Sequence, residues 1–216
     1  MRAPSVVVVM LHALAGLGFG LSLIVAIGAQ NMFVLRQGLR REHVGVVVAA
    51  CTLSDVVLIG AGVAGAGALL GAVPWLVTVM RWGGAVFLLV YAGLAARRAL
   101  RPTGASLQPD HAARPSGAGR AGAGAVLGTA LAITWLNPHV YLDTLVMLGS
   151  IAGGHGDGRW WFAAGAMVGS LVWFTALGYG ARLLRPVFAR PGAWRVLDAV
   201  IAVVMVALAV GLLLAG

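Results

Sequence analysis

The sequence predicts an all-α membrane protein, with six transmembrane helices arranged as two inverted three-helix repeats and with the first and fourth helices broken. Three observations carry that expectation. Of 216 residues, 61% are hydrophobic and only 10% charged, with a mean hydropathy of +0.97. A soluble domain has about 25% charged residues, so lipid must cover the surface that water would not. The apolar residues fall into six segments, and the arginines between them fall on alternate loops.

The segments run approximately over 5–35, 44–71, 73–96, 121–151, 160–181 and 196–215. Each reaches the ~20 residues that a helix rising 1.5 Å per residue needs to cross roughly 30 Å of hydrocarbon. Backbone groups in lipid must be satisfied within their own segment, which selects helices over open strands. Arg2, the run VVVVML and Ala13-Leu14-Ala15 loosely fit a cleavable signal. The apolar run continues through FGLSLIVAI, however, so a retained first helix is expected.

All fifteen basic residues are arginine, and the formal net charge is +9. Twelve of them lie in the loops after the first, third and fifth segments, namely Arg36, Arg40 and Arg41; Arg97, Arg98, Arg101, Arg114 and Arg120; and Arg182, Arg185, Arg190 and Arg195. Arg2, Arg81 and Arg159 fall on the other side. The positive-inside rule then puts those three loops in the cytoplasm and both termini outside. Charge that sets topology gives no reason to expect a nucleic-acid partner. The expected location is a cell inner membrane, with the lipid bilayer as partner; a homodimer is left open.

Arg101–Gly122 is rich in Pro, Gly, Ser and Arg and reads as a flexible cytoplasmic linker. It divides a first three-helix repeat, residues 1–100, from a second, residues 123–216. An odd number of spans in each half makes the two halves opposite in orientation, as in many secondary transporters. Small-xxx-small steps such as Gly16/Gly20, Gly67/Gly71 and Gly165/Gly169 suit close helix approach. Trp75, Trp82, Trp160, Trp161 and Trp194 sit near segment ends, as an interfacial belt requires. Gly60 to Gly65 spells G-x-G-x-x-G, but no acid follows at the spacing a dinucleotide site needs. Cys51, the single cysteine, lies inside the second segment and reads as a buried small residue; no metal site and no cofactor is expected.

Chemistry must come from the few polar groups placed at depth. Glu42, Asp110 and Asp157 fall in loops, and Asp198 lies three residues after Arg195, where a surface ion pair accounts for it. Asp55 and Asp143 remain. An aspartate at the centre of a membrane helix costs about 2.5–3.5 kcal/mol on insertion scales, so such residues mark a path for ions or substrate or else pair with an arginine. Asp143 belongs to TWLNPHVYLDT, in the middle of the fourth segment. Pro138 lacks an N–H and clashes with the carbonyl of Thr134, and it drives Asn137 out of helical geometry. The fourth helix should break there, leaving N–H donors at one end and C=O acceptors at the other. Those ends suit the carboxylate and ammonium of an amino acid. Asn137, Pro138, His139, Tyr141 and Asp143 then form half of a substrate site, and Gln30 and Asn31 of the first helix form the other half beside Asp55.

These segments resemble the lysine/arginine exporter (LysE/ArgO) family of bacterial inner-membrane transporters. The matching pieces are GAQNMFVLRQGLRRE, SDVVLIGAGVAG, RWGGAVFLLVYAG, TWLNPHVYLDTLVMLGS and GRWWFAAGAMVGSLVWF, which cover the chain apart from the 101–122 linker. The family often has Pro where Ala29 stands, so here the first break must rest on Gly28 and the polar pair. The resemblance implies a secondary transporter, not an enzyme, exporting basic L-amino acids by use of the proton gradient. Asp55 and Asp143 would serve in proton coupling, each holding in turn the substrate cation or a proton. Exporters of neutral amino acids or other small cations are alternatives on the same fold. An intramembrane aspartyl protease is another, although its Tyr-Asp and Gly-x-Gly-Asp motifs are missing.

Overall fold

The computed structural model of the chain describes residues 5–25, 28–66, 74–100, 122–188 and 191–214. Ten α-helices are described: α1 Val6–Ile24, α2 Ala29–Arg40, α3 Val44–Ala61, α4 Pro74–Leu100, α5 Ala123–Trp135, α6 Pro138–Tyr141, α7 Gly149–Gly153, α8 Arg159–Gly180, α9 Arg185–Phe188 and α10 Pro191–Leu214. A π-helical turn at Gly62–Ala66 follows α3, and another at Leu142–Leu148 joins α6 to α7. The linker up to residue 121, the Gly67/Gly71 step, Arg2, Asp110 and Arg190 lie outside the described residues.

Among the described residues five helices are long and apolar enough to cross a membrane: α1, α3 with its π turn, α4, α8 and α10. Their outward faces carry Val6, Leu14, Val86, Leu171 and Val203, all exposed, as a lipid-facing surface requires. The fourth apolar segment of the sequence is not one helix. It is built from α5, α6, the π turn and α7, with a break at Leu136–Asn137.

The first apolar segment is also divided, and α8 shows where. His12 lies on Gly158, Ala13 on Gly165 and Leu21 on Gly169, while Asn31 bonds to Trp173 and Gly38 lies on Gly178 and Ala181. So α1 and then α2 run along α8 in the same direction, and the gap between them faces its middle. α1 ends at Ile24 and α2 begins at Ala29, ahead of the polar pair, so Gln30 and Asn31 belong to the first turn of α2. The close approach needs glycine: a Cβ on Gly16 would meet the Phe162 carbonyl, and one on Gly165 the Ala13 carbonyl.

The remaining helices complete the bundle. α3 runs antiparallel to α8, with Val44 and Val48 on Gly178 and Met167 on Gly60. α4 and α10 also pack antiparallel, with Arg98 on Asp198 at one end and Leu212 over Gly84 at the other. α2 turns into α3 through Arg41 in the left-handed region, where Glu42 N–H donates to the Gln37 carbonyl and Arg41 N–H to that of Gly38. That is a Schellman closure. The Gly60–Gly65 run lies within α3 and its π turn, a helical setting with no βαβ unit.

Candidate functional site

The two breaks meet across the centre of the molecule, and each is closed by the chain's own side chains. At the first, Asn31 Nδ2 reaches back to donate to the Ile24 carbonyl at 2.6 Å, while its Oδ1 accepts from Trp173 Nε1 at 3.1 Å. At the second, Asn137 Oδ1 caps the N–H of His139 at 3.1 Å, and the Tyr141 hydroxyl donates to the Trp135 carbonyl at 2.8 Å. The sequence led us to expect unpaired carbonyls and N–H groups at these ends. Several are satisfied instead, because an orphan backbone group in a dry interior costs several kcal/mol, on the order of a lost hydrogen bond or more. Pro138 sits at the first position of α6, where no N–H is needed.

Between the breaks lies a cavity of about 250 Å³. Its polar wall is Gln30, Asn31, Asp55, Asn137, His139 and Asp143; Leu23, Ile24, Ile59, Phe174 and Leu208 give an apolar wall. Six of the eight residues expected at a site therefore surround one space. Pro138 and Tyr141 are outside it: both are buried, Pro138 shaping the break and Tyr141 packing against Leu58 and Leu145.

Asp55 is 4% exposed, and its Oδ2 accepts from the Ser170 hydroxyl at 2.6 Å. Among the described residues no arginine pairs with it, which removes the ion-pair explanation for a buried acid. On the facing wall Asp143 occupies the π turn of Leu142–Leu148 and is half-buried, one turn after exposed His139. The two π turns pack together through glycine, since a Cβ on Gly62 would strike the Thr144 carbonyl. π turns recur at functional sites because they re-aim side chains. Gln30 also faces this space from the first turn of α2. Its Nε2 is buried with no partner among the described residues, and its side chain touches the Cys51 thiol.

The first turn of α2 adds a positive pole. Gly28, Ala29 and Gln30 line the cavity, and the N–H groups of Ala29 and Gln30 have no acceptor within the helix. Such an end attracts a carboxylate. One space therefore offers donors for an anion and two carboxyl groups for a cation.

Three participants were not legible in the sequence. Ser170 and Trp173 bond to Asp55 and Asn31 from α8, and only their polarity in an apolar run hinted at it. Asp198 is the third. It is 6% exposed and pairs with Arg36 and Arg98, not with its sequence neighbour Arg195 as a surface pair. Its partners come from α2 and α4, distant in sequence and adjacent in the bundle.

Comparison with known proteins gives this arrangement its context. The family model of the LysE-type translocators matches residues 21–216. The chain belongs to that family. A lysine exporter of Corynebacterium diphtheriae is 40% identical over 216 residues, covering 89% of this chain and 94% of its own. An arginine exporter of Yersinia enterocolitica is 44% identical over 191 residues, covering 87% and 90%. A candidate amino-acid transporter of Mycobacterium tuberculosis is 52% identical over 190 residues, covering 88% and 90%. No solved structure matches. A LysE-type translocator is a membrane transporter and not an enzyme, so the aspartyl-protease alternative falls.

Proposed function

We propose that this translocator exports basic L-amino acids, lysine or arginine, across the bacterial inner membrane in exchange for protons. The observation that carries the reading is the single cavity shared by Asp55, Asp143 and the N-terminal turn of α2. The α-carboxylate would lie at the N–H groups of Ala29 and Gln30, and the ammonium or guanidinium at Asp55 and Asp143. At about 250 Å³ the space sits just under the range of roughly 300–1,000 Å³ typical of ligand pockets, a size for one amino acid. Relatives named lysine exporter and arginine exporter support the substrate class.

The exchange follows from charge. Moving a cation outward against an inside-negative potential costs about 2.3 kcal/mol per 100 mV. If each carboxyl holds either the substrate cation or a proton, a one-for-one exchange moves no net charge, and the pH gradient drives export.

An inverted six-span repeat is the architecture we favour, with α1–α2 and α5–α7 as the broken first and fourth spans. The packing supports it. The α1–α2 pair runs along α8 as the α5–α7 pieces lie along α3; α3 contacts α8, and α4 contacts α10. Exchanging the halves maps the first two contacts onto each other and the last two onto themselves. Arg36, Arg40, Arg97, Arg98, Arg182 and Arg195 gather at the end where α2, α4 and α8 finish and α10 begins. The positive-inside rule makes that end cytoplasmic and both termini external.

The test is efflux from cells loaded with lysine- or arginine-containing dipeptides, with and without the gene. Faster release of lysine or arginine by expressing cells is expected. Release of a neutral amino acid alone would overturn the substrate assignment.

A further inference from the structure

On the cytoplasmic side of the cavity, three helices converge on one oxygen atom. Arg36 Nη2 of α2 and Arg98 Nε of α4 lie 3.3 and 3.2 Å from the same Oδ1 of Asp198 on α10. From this we infer that the Arg36–Asp198–Arg98 cluster is the latch of a gate that closes this end of the substrate pathway, released whenever the site opens to that side. The inference rests on the transport reading above.

The position of α2 is the first support. Gln30 faces the cavity from its first turn, and Arg36 follows six residues later, roughly 9 Å along the helix. α2 is therefore a short lever with the site at one end and the ion cluster at the other. It is separated from α1 by the break and rests on α8 at Gly38, where the backbones touch without side chains between them. Eight of its twelve residues are buried, so α2 is a plug and not a peripheral helix. Phe33 on α2, Tyr91 on α4, and Ile201 and Met205 on α10 lie nearby on the helices that carry the latch and are buried in one apolar cluster. In the proposed gate, solute passes this end when α2 parts from α4 and α10.

The chemistry of the cluster is the second support. Two guanidinium groups share one carboxylate, which leaves one positive charge in surplus. Arg36 Nε, Arg98 Nη2 and the neighbouring Gln37 Oε1 are buried with no partner among the described residues. A permanent strut would be expected to satisfy these atoms, because a partly satisfied buried network stabilises poorly. A contact that must break in every cycle is served by such a balance: specific enough to define the closed state, and weak enough to leave it.

Cys51 provides the reporter. It is the chain's single cysteine, 1% exposed, one turn from Asp55 on the latch side and in contact with Gln30. In nanodiscs holding the full chain, the rate of Cys51 modification by a small charged methanethiosulfonate should be slow. Asp198→Asn should raise it by about tenfold or more, each 1.4 kcal/mol of lost closure being a factor of ten. Asp198→Glu should restore the slow rate, and Arg98→Gln, which leaves the Arg36–Asp198 pair in place, should give an intermediate one. Should Asp198→Asn fail to accumulate, Arg98→Gln decides alone. Wild-type modification rates in the variants that accumulate would overturn the latch, as would loss of folded protein in both, which is the mark of a strut. Faster modification in a protein that exports no basic amino acid would keep the latch and refute the substrate; arginine export with unchanged modification would do the reverse.

Discussion

At the scale of single residues, the proposed exchange rests on Asp55. A carboxyl group this deeply buried, with one hydroxyl donor from Ser170 and no arginine partner among the described residues, is held where an ion pair would otherwise be required. Asp55→Asn keeps the shape and removes both charge and titration. Proton-driven efflux should collapse while membrane abundance stays normal, measured on the same cells. Low abundance would mean that the group is structural, and normal abundance with normal efflux would move the role to Asp143. Ser170→Ala is the milder companion: a hydrogen bond to a charged group contributes about 1.5–3 kcal/mol, so efflux should fall without being abolished. Equal efflux in Ser170→Ala and wild type would separate that hydroxyl from the site. Gln30 and Asn31 show what a sequence can and cannot say at this scale. Both are expected to face substrate and both line the cavity, but Asn31 also bonds to Ile24 and Trp173, whereas Gln30 Nε2 has no partner among the described residues. Adjacent residues on a helix point about 100° apart, and only the neighbouring helices decide which of them is also tied into the packing.

At the scale of elements, the two breaks and the glycine contacts carry the weight. Pro138→Ala would restore an N–H able to bond the Thr134 carbonyl, which now accepts a long bond, 3.4 Å, from Asn137. The variant should insert and accumulate but transport poorly; efflux near wild type would reduce Pro138 to a kink. Glycines on α1 allow a sharper comparison. Gly16 lies against the Phe162 backbone, whereas nothing approaches Gly18 within 4 Å. Gly16→Ala should lower the melting temperature in detergent by several degrees, and Gly18→Ala should leave it unchanged. Equal effects would contradict the α1–α8 contact. The Asn-Pro break was legible because proline chemistry is local. The first break was legible only to within a few residues, since no proline marks it. Asp198 was misread because hydrophobic periodicity describes position along a chain and not which helices become neighbours.

At the scale of the whole molecule, the proposed exchange joins two features: the arginines gathered at one end would orient the bundle, and the acids at its centre would carry charge across it. A reporter fused after Gly216 should be active only when it functions outside the cytoplasm; activity confined to the cytoplasm would invert the topology. The most direct test of the central claim is arginine movement in proteoliposomes holding only this protein, with a pH gradient imposed and the membrane potential clamped at zero. Labelled arginine should accumulate against its gradient on the acidic side, proton flux should match arginine flux one for one, and Asp55→Asn at equal protein should abolish both. Arginine accumulation that ignores the pH gradient, or that survives Asp55→Asn and Asp143→Asn alike, would contradict the account.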